Sequence, residues 1–201
     1  GLRAAEDEAI RAAVRLQEGI GLQAATDGEF RRSSWHMDFI YGLGGVEKVV
    51  DSTLQVEFTG PDGRVVFAPP SLRVSGRVHL ARPIFAEAFA FLRDTVRMAV
   101  PKLTIPSPSM VHYRSGRPYI NEDVYPDMDG FWNDVSAAYA QEIKGLYELG
   151  CRYLQMDDTC FAYLNDERQR KQIDQRGEDG EHLHLRYIRQ TNEAVRDRPR
   201  D

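Results

Sequence analysis

The sequence of 201 residues has few cysteines, no long apolar run and no excess of positive charge, and each absence excludes a class of protein. Two cysteines, Cys151 and Cys160, do not make the disulfide framework of a small secreted domain. The longest apolar stretches fall far short of the roughly 18 residues that a membrane-spanning helix requires. With 26 Lys and Arg residues against 31 Asp and Glu residues, the net charge is -5, which disfavours nucleic-acid or membrane partners. These absences predict a reduced protein of the cytoplasm.

Hydrophobic residues make up 42% of the chain, which is enough to bury a core, and their spacing predicts an α/β fold. Helical periodicity is found over residues 2–18, 84–98, 131–149 and 183–195, and short apolar strands are predicted over residues 22–26, 102–105 and 152–156. Helices that alternate with strands favour parallel strands joined by right-handed crossovers. Residues 53–80 differ, because apolar and polar residues alternate around the turn sequence Pro61-Asp62-Gly63. We therefore expect one domain over residues 1–201 with a β-hairpin insertion at about 53–80.

The spacing of the predicted strands limits the architecture. They end near positions 26, 105 and 156, whereas a complete (β/α)8 TIM barrel typically uses about 250 residues for its eight units. The chain is therefore expected to form a partial barrel, about strands 2 to 4 with their flanking helices. An open barrel leaves an unpaired strand edge, so we also expect self-association through that edge.

Polar residues follow each of the three predicted strands, at 27–29, 107–113 and 157–159. The carboxyl ends of parallel strands gather on one face, where the chemistry of such folds is normally found. The three polar clusters are therefore predicted to be neighbours.

The acidic residues of these clusters have more than one reading from the sequence alone. Glu29 either belongs to a site, caps a following helix, or pairs with Arg31 or Arg32. Asp157 and Asp158 are adjacent in an extended chain and point in opposite directions, so at most one faces a pocket. We expect that one to be Asp157, and we expect Asp158 to act as a cap.

Other conspicuous residues have structural readings. Cys160 is interpreted as a small packing residue and not as a metal thiolate. Trp35 and His36 either line the pocket mouth or pack in the core. The segment Gly42-Leu43-Gly44-Gly45 is interpreted as a flexible connection, because it lacks the pattern of a phosphate-binding loop. The charged residues 166–181 are interpreted as a solvated helix or loop.

Three motifs at the strand ends carry a family resemblance: Thr26-Asp27-Gly28-Glu29-Phe30-Arg31-Arg32, Lys102-Leu103-Thr104-Ile105-Pro106-Ser107-Pro108 and Tyr153-Leu154-Gln155-Met156-Asp157-Asp158. In this order and at this separation they resemble the catalytic domain of cobalamin-independent methionine synthase, in particular its shorter single-barrel relatives. The resemblance extends over nearly the whole chain.

The resemblance implies a fold, a reaction and a set of site residues. The fold is a (β/α)8 barrel, and the reaction moves a methyl group from 5-methyltetrahydrofolate to the thiol of homocysteine on a zinc ion. Glu29 and Asp157 match the positions that hold homocysteine in this family. Ser107 lies in the second motif, and His112 and Tyr113 stand near the position of the family's aromatic residue for the pterin. These five residues are the expected substrate-binding residues.

The chain also departs from the family pattern. It has no first-strand motif of the His/Gly/Ser type and no His-x-Cys pair of zinc ligands. We therefore expect the zinc ligands to lie outside this chain, the chain to be part of a longer protein, and the isolated chain to be inactive. Two alternatives remain open: a zinc-dependent alkyl transferase that acts on another small thiol, or an inactive partial paralogue.

Overall fold

The computed structural model describes residues 1–49, 56–61, 63–67, 71–113 and 115–200. The helices are α1 (Leu2–Gly19), α2 (Met37–Ile40), α3 (Ala86–Thr95), α4 (Met110–Tyr113), α5 (Met128–Glu148), α6 (Cys160–Leu164), α7 (Glu167–Gln175) and α8 (Leu183–Val195), with a 3₁₀ turn at Arg117–Tyr119. The strands are β1 (Ala24–Ala25), β2 (Gly44–Val49), β3 (Val56–Gly60), β4 (Gly63–Phe67), β5 (Ser71–His79), β6 (Val100–Pro106) and β7 (Tyr153–Asp157).

A parallel sheet with the strand order β1-β6-β7 forms the centre of the fold. Ala24 pairs with Val100, and the pairing of β6 with β7 continues to Pro106 opposite Asp157. The predicted parallel arrangement is therefore confirmed: the three strands run in the same direction, with β1 paired to the start of β6 at Val100 and Pro101. The partial-barrel geometry stays a prediction, as does self-association along β1 and β7, the outer strands of this sheet within the described residues.

Helices cover the sheet because their apolar residues recur at helical spacing. The inner face of α5 buries Phe131, Val135, Tyr139 and Leu146, and the side chain of Asp127 caps the helix by accepting the backbone N–H of Gly130 at 3.1 Å. A smaller apolar cluster joins α1 to α3 and consists of Ile10, Val14 and Leu92. Helix α8 coincides with its predicted range of 183–195. No helix in the described ranges is both long and apolar enough to cross a bilayer.

Helix α3 is shorter than its predicted range of 84–98. It begins at Ala86, with Phe85 at the N-cap position, so Pro83 and Ile84 precede the helix. The physical reason is a contact from another helix: the backbone N–H of Ile84 donates to the carboxylate of Glu142 in α5, with both oxygens 3.1 Å away. This contact ties the backbone just before α3 to α5.

Two antiparallel pairs of strands lie outside the parallel sheet, and one of them corrects a prediction. Gly44 and Gly45, predicted to lie in a flexible connection, begin strand β2, which pairs with β5. Gly45 has φ 81°, and a Cβ there would lie 2.4 Å from the Arg77 carbonyl oxygen, so glycine is required by close backbone approach. In the predicted hairpin region, β3 and β4 pair antiparallel, while Leu54 and Asp62 of that prediction lie outside the described residues.

Candidate functional site

The candidate site lies at the carboxyl ends of β1, β6 and β7, where sites of parallel α/β folds are found. Beyond the last pair of β6 and β7, the backbone N–H of Ser107 donates to the carbonyl of Asp157 at 2.8 Å. The chain therefore keeps the ends of these two strands in register as it enters the two following loops. The predicted polar clusters after β6 and β7 are held side by side.

A tight turn after β1 positions Glu29. Asp27, which is 4% exposed, accepts the backbone N–H of Glu29 through Oδ1 at 2.9 Å. Gly28 and Glu29 have φ values of 66° and 58°. Glu29 is not a glycine, and a non-glycine residue in this left-handed region is uncommon and often marks a functional segment. The backbone N–H of Arg32 then donates to the Glu29 carbonyl at 2.9 Å and closes the turn.

The side chain of Arg32 is the cationic neighbour of Glu29. Its Nη1 donates to Glu29 Oε1 at 3.2 Å, and its Nη2 donates to the carbonyl of Thr104 in β6 at 2.8 Å. The guanidinium also lies 4.1 Å from the centroid of the Phe85 ring, which is a cation–π contact. Arg31, the other candidate partner, instead pairs with carboxylates of α1. Of the alternatives that the sequence left open, Glu29 therefore pairs with Arg32.

The electrostatics of Glu29 show that several charges meet at this edge. Burial raises the pKa of Glu29 above its ordinary value of 4.5, Arg32 opposes the rise, and the charges of Asp27 and Asp157 add to it. Asp157 is the weakest of these influences, and its charge reaches Glu29 from the end of β7. The side chain of Glu29 remains 33% exposed, so this edge combines negative charge with access from solvent.

Asp157 and Asp158 point to different environments, as expected for neighbours in an extended chain. Asp157 Oδ1 accepts a hydrogen bond from Nε2 of Gln155 at 2.6 Å, and Gln155 lies two residues earlier on the same face of β7. Asp158 Oδ1 accepts the backbone N–H of Cys160 at 2.7 Å at the start of α6. Asp158 thus closes the turn that leads into α6, whose N-cap residue is Thr159.

Asp158 also binds the segment after β6. Its Oδ2 accepts the hydroxyls of Ser107 at 2.6 Å and Ser109 at 2.5 Å, and the two hydroxyl oxygens lie 2.6 Å apart. Ser107 is 2% exposed and Ser109 is completely buried. Ser107 therefore lies at the predicted edge, but its hydroxyl is directed to a protein carboxylate.

His112 is a core residue in this structure. It is 1% exposed, its Nδ1 lies 2.9 Å from the Tyr187 hydroxyl, and its Nε2 lies 2.7 Å from Glu178 Oε1. Its ring packs against Phe131 and Trp132. Although burial opposes ionisation of Glu178, the hydrogen bond and charge of His112 hold the pKa of that carboxyl below its ordinary value.

Tyr113, the next residue, is more accessible than His112. Its ring stacks on Tyr163 of α6 with the centroids 5.4 Å apart and an interplanar angle of 14°. Its hydroxyl donates to Oε1 of Gln169 in α7 at 3.0 Å. The half-exposed pair of aromatic rings bridges the segments that follow β6 and β7.

The remaining sequence candidates are packed. His36 is 7% exposed and its ring lies 4.5 Å from that of Trp35, which packs against the main core. Cys160 is completely buried with its sulfur 3.3 Å from that of Met110, which agrees with the packing interpretation. In the part of the chain that the structure describes, no group of three or more His, Cys, Asp or Glu residues could hold a metal ion. These residues therefore do not fit the zinc that the family resemblance implies.

Two residues of this edge were not singled out from the sequence. Gln155 could have been found by strand alternation, because the residue two before Asp157 shares its face. Ser109 had a weaker signal, a second serine two residues after Ser107 in a segment that is otherwise apolar or prolyl.

Comparisons with known proteins agree with the geometry of the chain. No protein-family model matches. An uncharacterized protein of Bacillus subtilis, YxjH, is 36% identical over 201 residues, which is 100% of this chain and 51% of YxjH. A methionine synthase of Pyrococcus abyssi is 25% identical over 163 residues, or 80% of this chain and 43% of that protein.

A solved structure extends this similarity to the fold. The crystal structure of the putative vitamin-B12-independent methionine synthase of Listeria monocytogenes matches with a TM-score of 0.77 and 35% identity. The match covers 99% of this chain and 52% of that protein. The resemblance drawn from the sequence is thus confirmed: the chain is a homologue of cobalamin-independent methionine synthase-like proteins, and it spans about half the length of the relatives that it matches.

Proposed function

We propose that this chain forms one wall of the homocysteine pocket of a zinc-dependent methyltransferase of methionine biosynthesis. The reaction would transfer a methyl group from 5-methyltetrahydrofolate, or its polyglutamate, to the homocysteine thiol. One observation carries the proposal: Arg32 joins Glu29 to Thr104 of β6, and β6 pairs with β7 as far as Asp157, whose charge adds to the raised pKa of Glu29. The relatives that bear the name methionine synthase support the reaction class.

The chemistry of this edge suits an ammonium group. One oxygen of Glu29 accepts from Arg32 and one oxygen of Asp157 accepts from Gln155. The second oxygen of each carboxylate accepts no hydrogen bond from the described residues. A bound ammonium group would donate charge-assisted hydrogen bonds to these oxygens, and such bonds are stronger than neutral ones. It would also offset the charges that raise the pKa of Glu29.

The other predicted substrate residues have unequal access. Tyr113 offers a half-exposed ring beside the strand ends, whereas the His112 ring is enclosed by the core. We therefore propose Tyr113 as the aromatic residue for the pterin. Ser107 would act through Asp158, by fixing the loop after β6 next to Asp157.

Zinc and the methyl donor would need residues beyond those described. We propose that the zinc ligands lie outside this chain, because the sequence has no His-x-Cys pair and the described residues form no metal-binding group. The carboxylates at the edge recognise an amino group and not a thiol, and any small amino-acid thiol presents the same group. A zinc-dependent alkyl transferase that acts on another such thiol is therefore the alternative, and cysteine is the ligand that separates it from the first proposal.

The test is calorimetric titration of homocysteine into the full-length protein that carries this chain. Glu29→Gln and Asp157→Asn should each weaken binding by about 2 kcal/mol, which is the loss expected for a hydrogen bond to a charged group. In the unsubstituted protein, affinity should fall as the pH falls through the raised pKa of Glu29, because the neutral acid no longer attracts an ammonium group.

The matched control is Glu148→Gln, which removes an exposed carboxylate of α5 that pairs only with Lys144 among the described residues. This control should leave homocysteine binding unchanged. Equal affinity of Glu29→Gln, Asp157→Asn and the unsubstituted protein would disprove the assigned roles. Tighter binding of cysteine than of homocysteine would favour the alternative substrate.

A further inference from the structure

Glu142 is a buried carboxylate that the proposed site does not use. It lies on the inner face of α5 among apolar side chains and is 0% exposed. Acidic residues are almost never fully buried without partners, because removing a charge from water is costly. The partners here are backbone groups: both oxygens lie 3.1 Å from the N–H of Ile84, and Phe85 donates to the same carboxylate.

These two N–H groups come just before the first turn of α3: Phe85 is its N-cap residue, and Ile84 precedes Phe85. The first N–H groups of a helix have no partner within the helix, and α3 has no side-chain cap of its own at Phe85. A carboxylate from α5 therefore serves this helix start from a distant part of the sequence. A negative charge is also favourable there, because the helix dipole is positive at its N-terminus.

The Phe85 ring connects this part of the structure to the candidate site. The ring lies 4.1 Å from the Arg32 guanidinium, and Arg32 binds both Glu29 and the carbonyl of Thr104. The Arg32 side chain is only 5% exposed, so its position depends on the groups that surround it. A continuous series of contacts thus runs from Glu142 through Phe85 and Arg32 to Glu29.

We propose that Glu142 is a positioning residue: through the backbone of Ile84 and Phe85 it holds the Phe85 ring beneath Arg32, and it thereby sets the charge environment of the Glu29 carboxylate. This proposal rests on the proposed function in one respect only, the role of Glu29 as a ligand of the substrate. The contacts themselves are a property of this chain.

The ionisation of Glu142 supplies a way to observe this link. Burial raises the pKa of Glu142 to about 7, against the opposing hydrogen bonds from Ile84 and Phe85. No charged side chain within the described residues shifts this pKa. Among the described residues, Tyr139 of the same helix feels the charge of Glu142 directly: burial, then Asp158 and more weakly Glu142, raise the pKa of its phenol well above the ordinary value. The effect of Glu142 on Glu29 is expected to pass through the contacts of Phe85 and Arg32, so protonation of Glu142 near neutral pH should alter the titration of Glu29.

The experiment is an NMR titration of the Glu29 side-chain carboxyl carbon in this chain. In the unsubstituted chain, the Glu29 signal should show its own main step and a smaller second step near pH 7, where Glu142 titrates. Glu142→Gln, which imitates the protonated acid, should keep the main step and abolish the second. Glu142→Ala, which has no acceptor, should loosen Arg32 and lower the ionisation constant of Glu29 about threefold.

Two further variants keep the test decisive if Glu142→Ala does not fold. Phe85→Leu removes the ring but keeps Glu142, so the carboxyl of Glu142 should still titrate near pH 7 while Glu29 loses its second step. Glu148→Gln, on the exposed face of the same helix, should change neither step.

A second Glu29 step that survives in Glu142→Gln would overturn the proposal, and so would its persistence in Phe85→Leu. A residue that only caps α3 would alter stability and leave the Glu29 titration unchanged. Because the readout is the carboxyl of Glu29 itself, failure here would not bear on homocysteine binding. Failure of the homocysteine titration would likewise leave this link intact.

Discussion

The outer carboxylates, Glu29 and Asp157, and the inner carboxylates, Asp158 and Glu142, differ in how many hydrogen bonds their oxygens accept from the protein. Glu29 and Asp157 each accept one hydrogen bond from a side chain of the described residues and keep a second oxygen open. Asp158 and Glu142, by contrast, use both oxygens. Asp158 accepts three donors, and Glu142 accepts two backbone N–H groups.

This difference separates two tasks that the same residue types can perform. A carboxylate whose oxygens are filled by protein donors fixes backbone and loops, and it has nothing to offer a ligand. A carboxylate with an open oxygen beside a like charge costs the protein free energy that a cationic ligand recovers. The comparison predicts that the inner carboxylates control stability and the outer pair controls binding.

The largest effect is expected at Asp158. Asp158→Ala leaves the hydroxyls of Ser107 and Ser109 and the N–H of Cys160 without their acceptor, and we expect a loss of about 4 kcal/mol in the free energy of unfolding. Urea denaturation measures this loss. Asp157→Ala is the matched control and should cost less than about 1 kcal/mol. Equal losses in the two variants would remove the distinction between inner and outer carboxylates.

Glu142 should produce the next largest effect, and its sign depends on pH. Because the folded-state pKa of about 7 lies above the ordinary value of 4.5, the native state binds the proton more tightly than the unfolded state. The resulting stability is fully present below about pH 4.5 and is lost as the pH rises through 7. We therefore compare the free energy of unfolding of Glu142→Gln with that of the unsubstituted chain at each pH. Well above pH 7, the difference should favour Glu142→Gln by up to about 3 kcal/mol more than it does at low pH.

Urea denaturation of both proteins at several pH values measures this difference, and Glu148→Gln gives the background of an exposed glutamate. A pH-independent difference between Glu142→Gln and the unsubstituted chain would show that Glu142 does not titrate as an inner carboxylate.

Periodicity and strand order were sufficient to predict much of this arrangement. The apolar stripe of 183–195 gave the bounds of α8, and helix–strand alternation gave the parallel direction of β1, β6 and β7. Strand β2 was missed because Gly44 and Gly45 weaken the strand signal, although close backbone approach requires glycine at position 45.

The contacts that tune the site were not accessible in the same way. The Phe85 ring meets Arg32 only after the chain has folded back from β5, and no local pattern records such a contact. Glu142 had a readable signal, since it falls between Tyr139 and Leu146 on the apolar stripe of α5. A charge on such a stripe indicates a buried acid with partners, but the sequence does not identify those partners.

The smallest stability effect should come from Glu29, and its sign sharpens the comparison. The raised pKa of Glu29 means that its stabilising contribution is present below about pH 4.5 and is lost as the pH rises through the folded-state value. Because a third of the Glu29 side chain is exposed, solvent screens its electrostatic contribution to stability. Glu29→Gln at neutral pH should therefore raise the free energy of unfolding by less than about 1 kcal/mol. Urea denaturation beside the homocysteine titration tests both properties in one variant. A substitution that slightly stabilises the fold and weakens homocysteine binding is expected of a residue kept for binding. A loss of about 2 kcal/mol or more in the free energy of unfolding would instead place Glu29 with Asp158 and Glu142, the carboxylates that stabilise the fold.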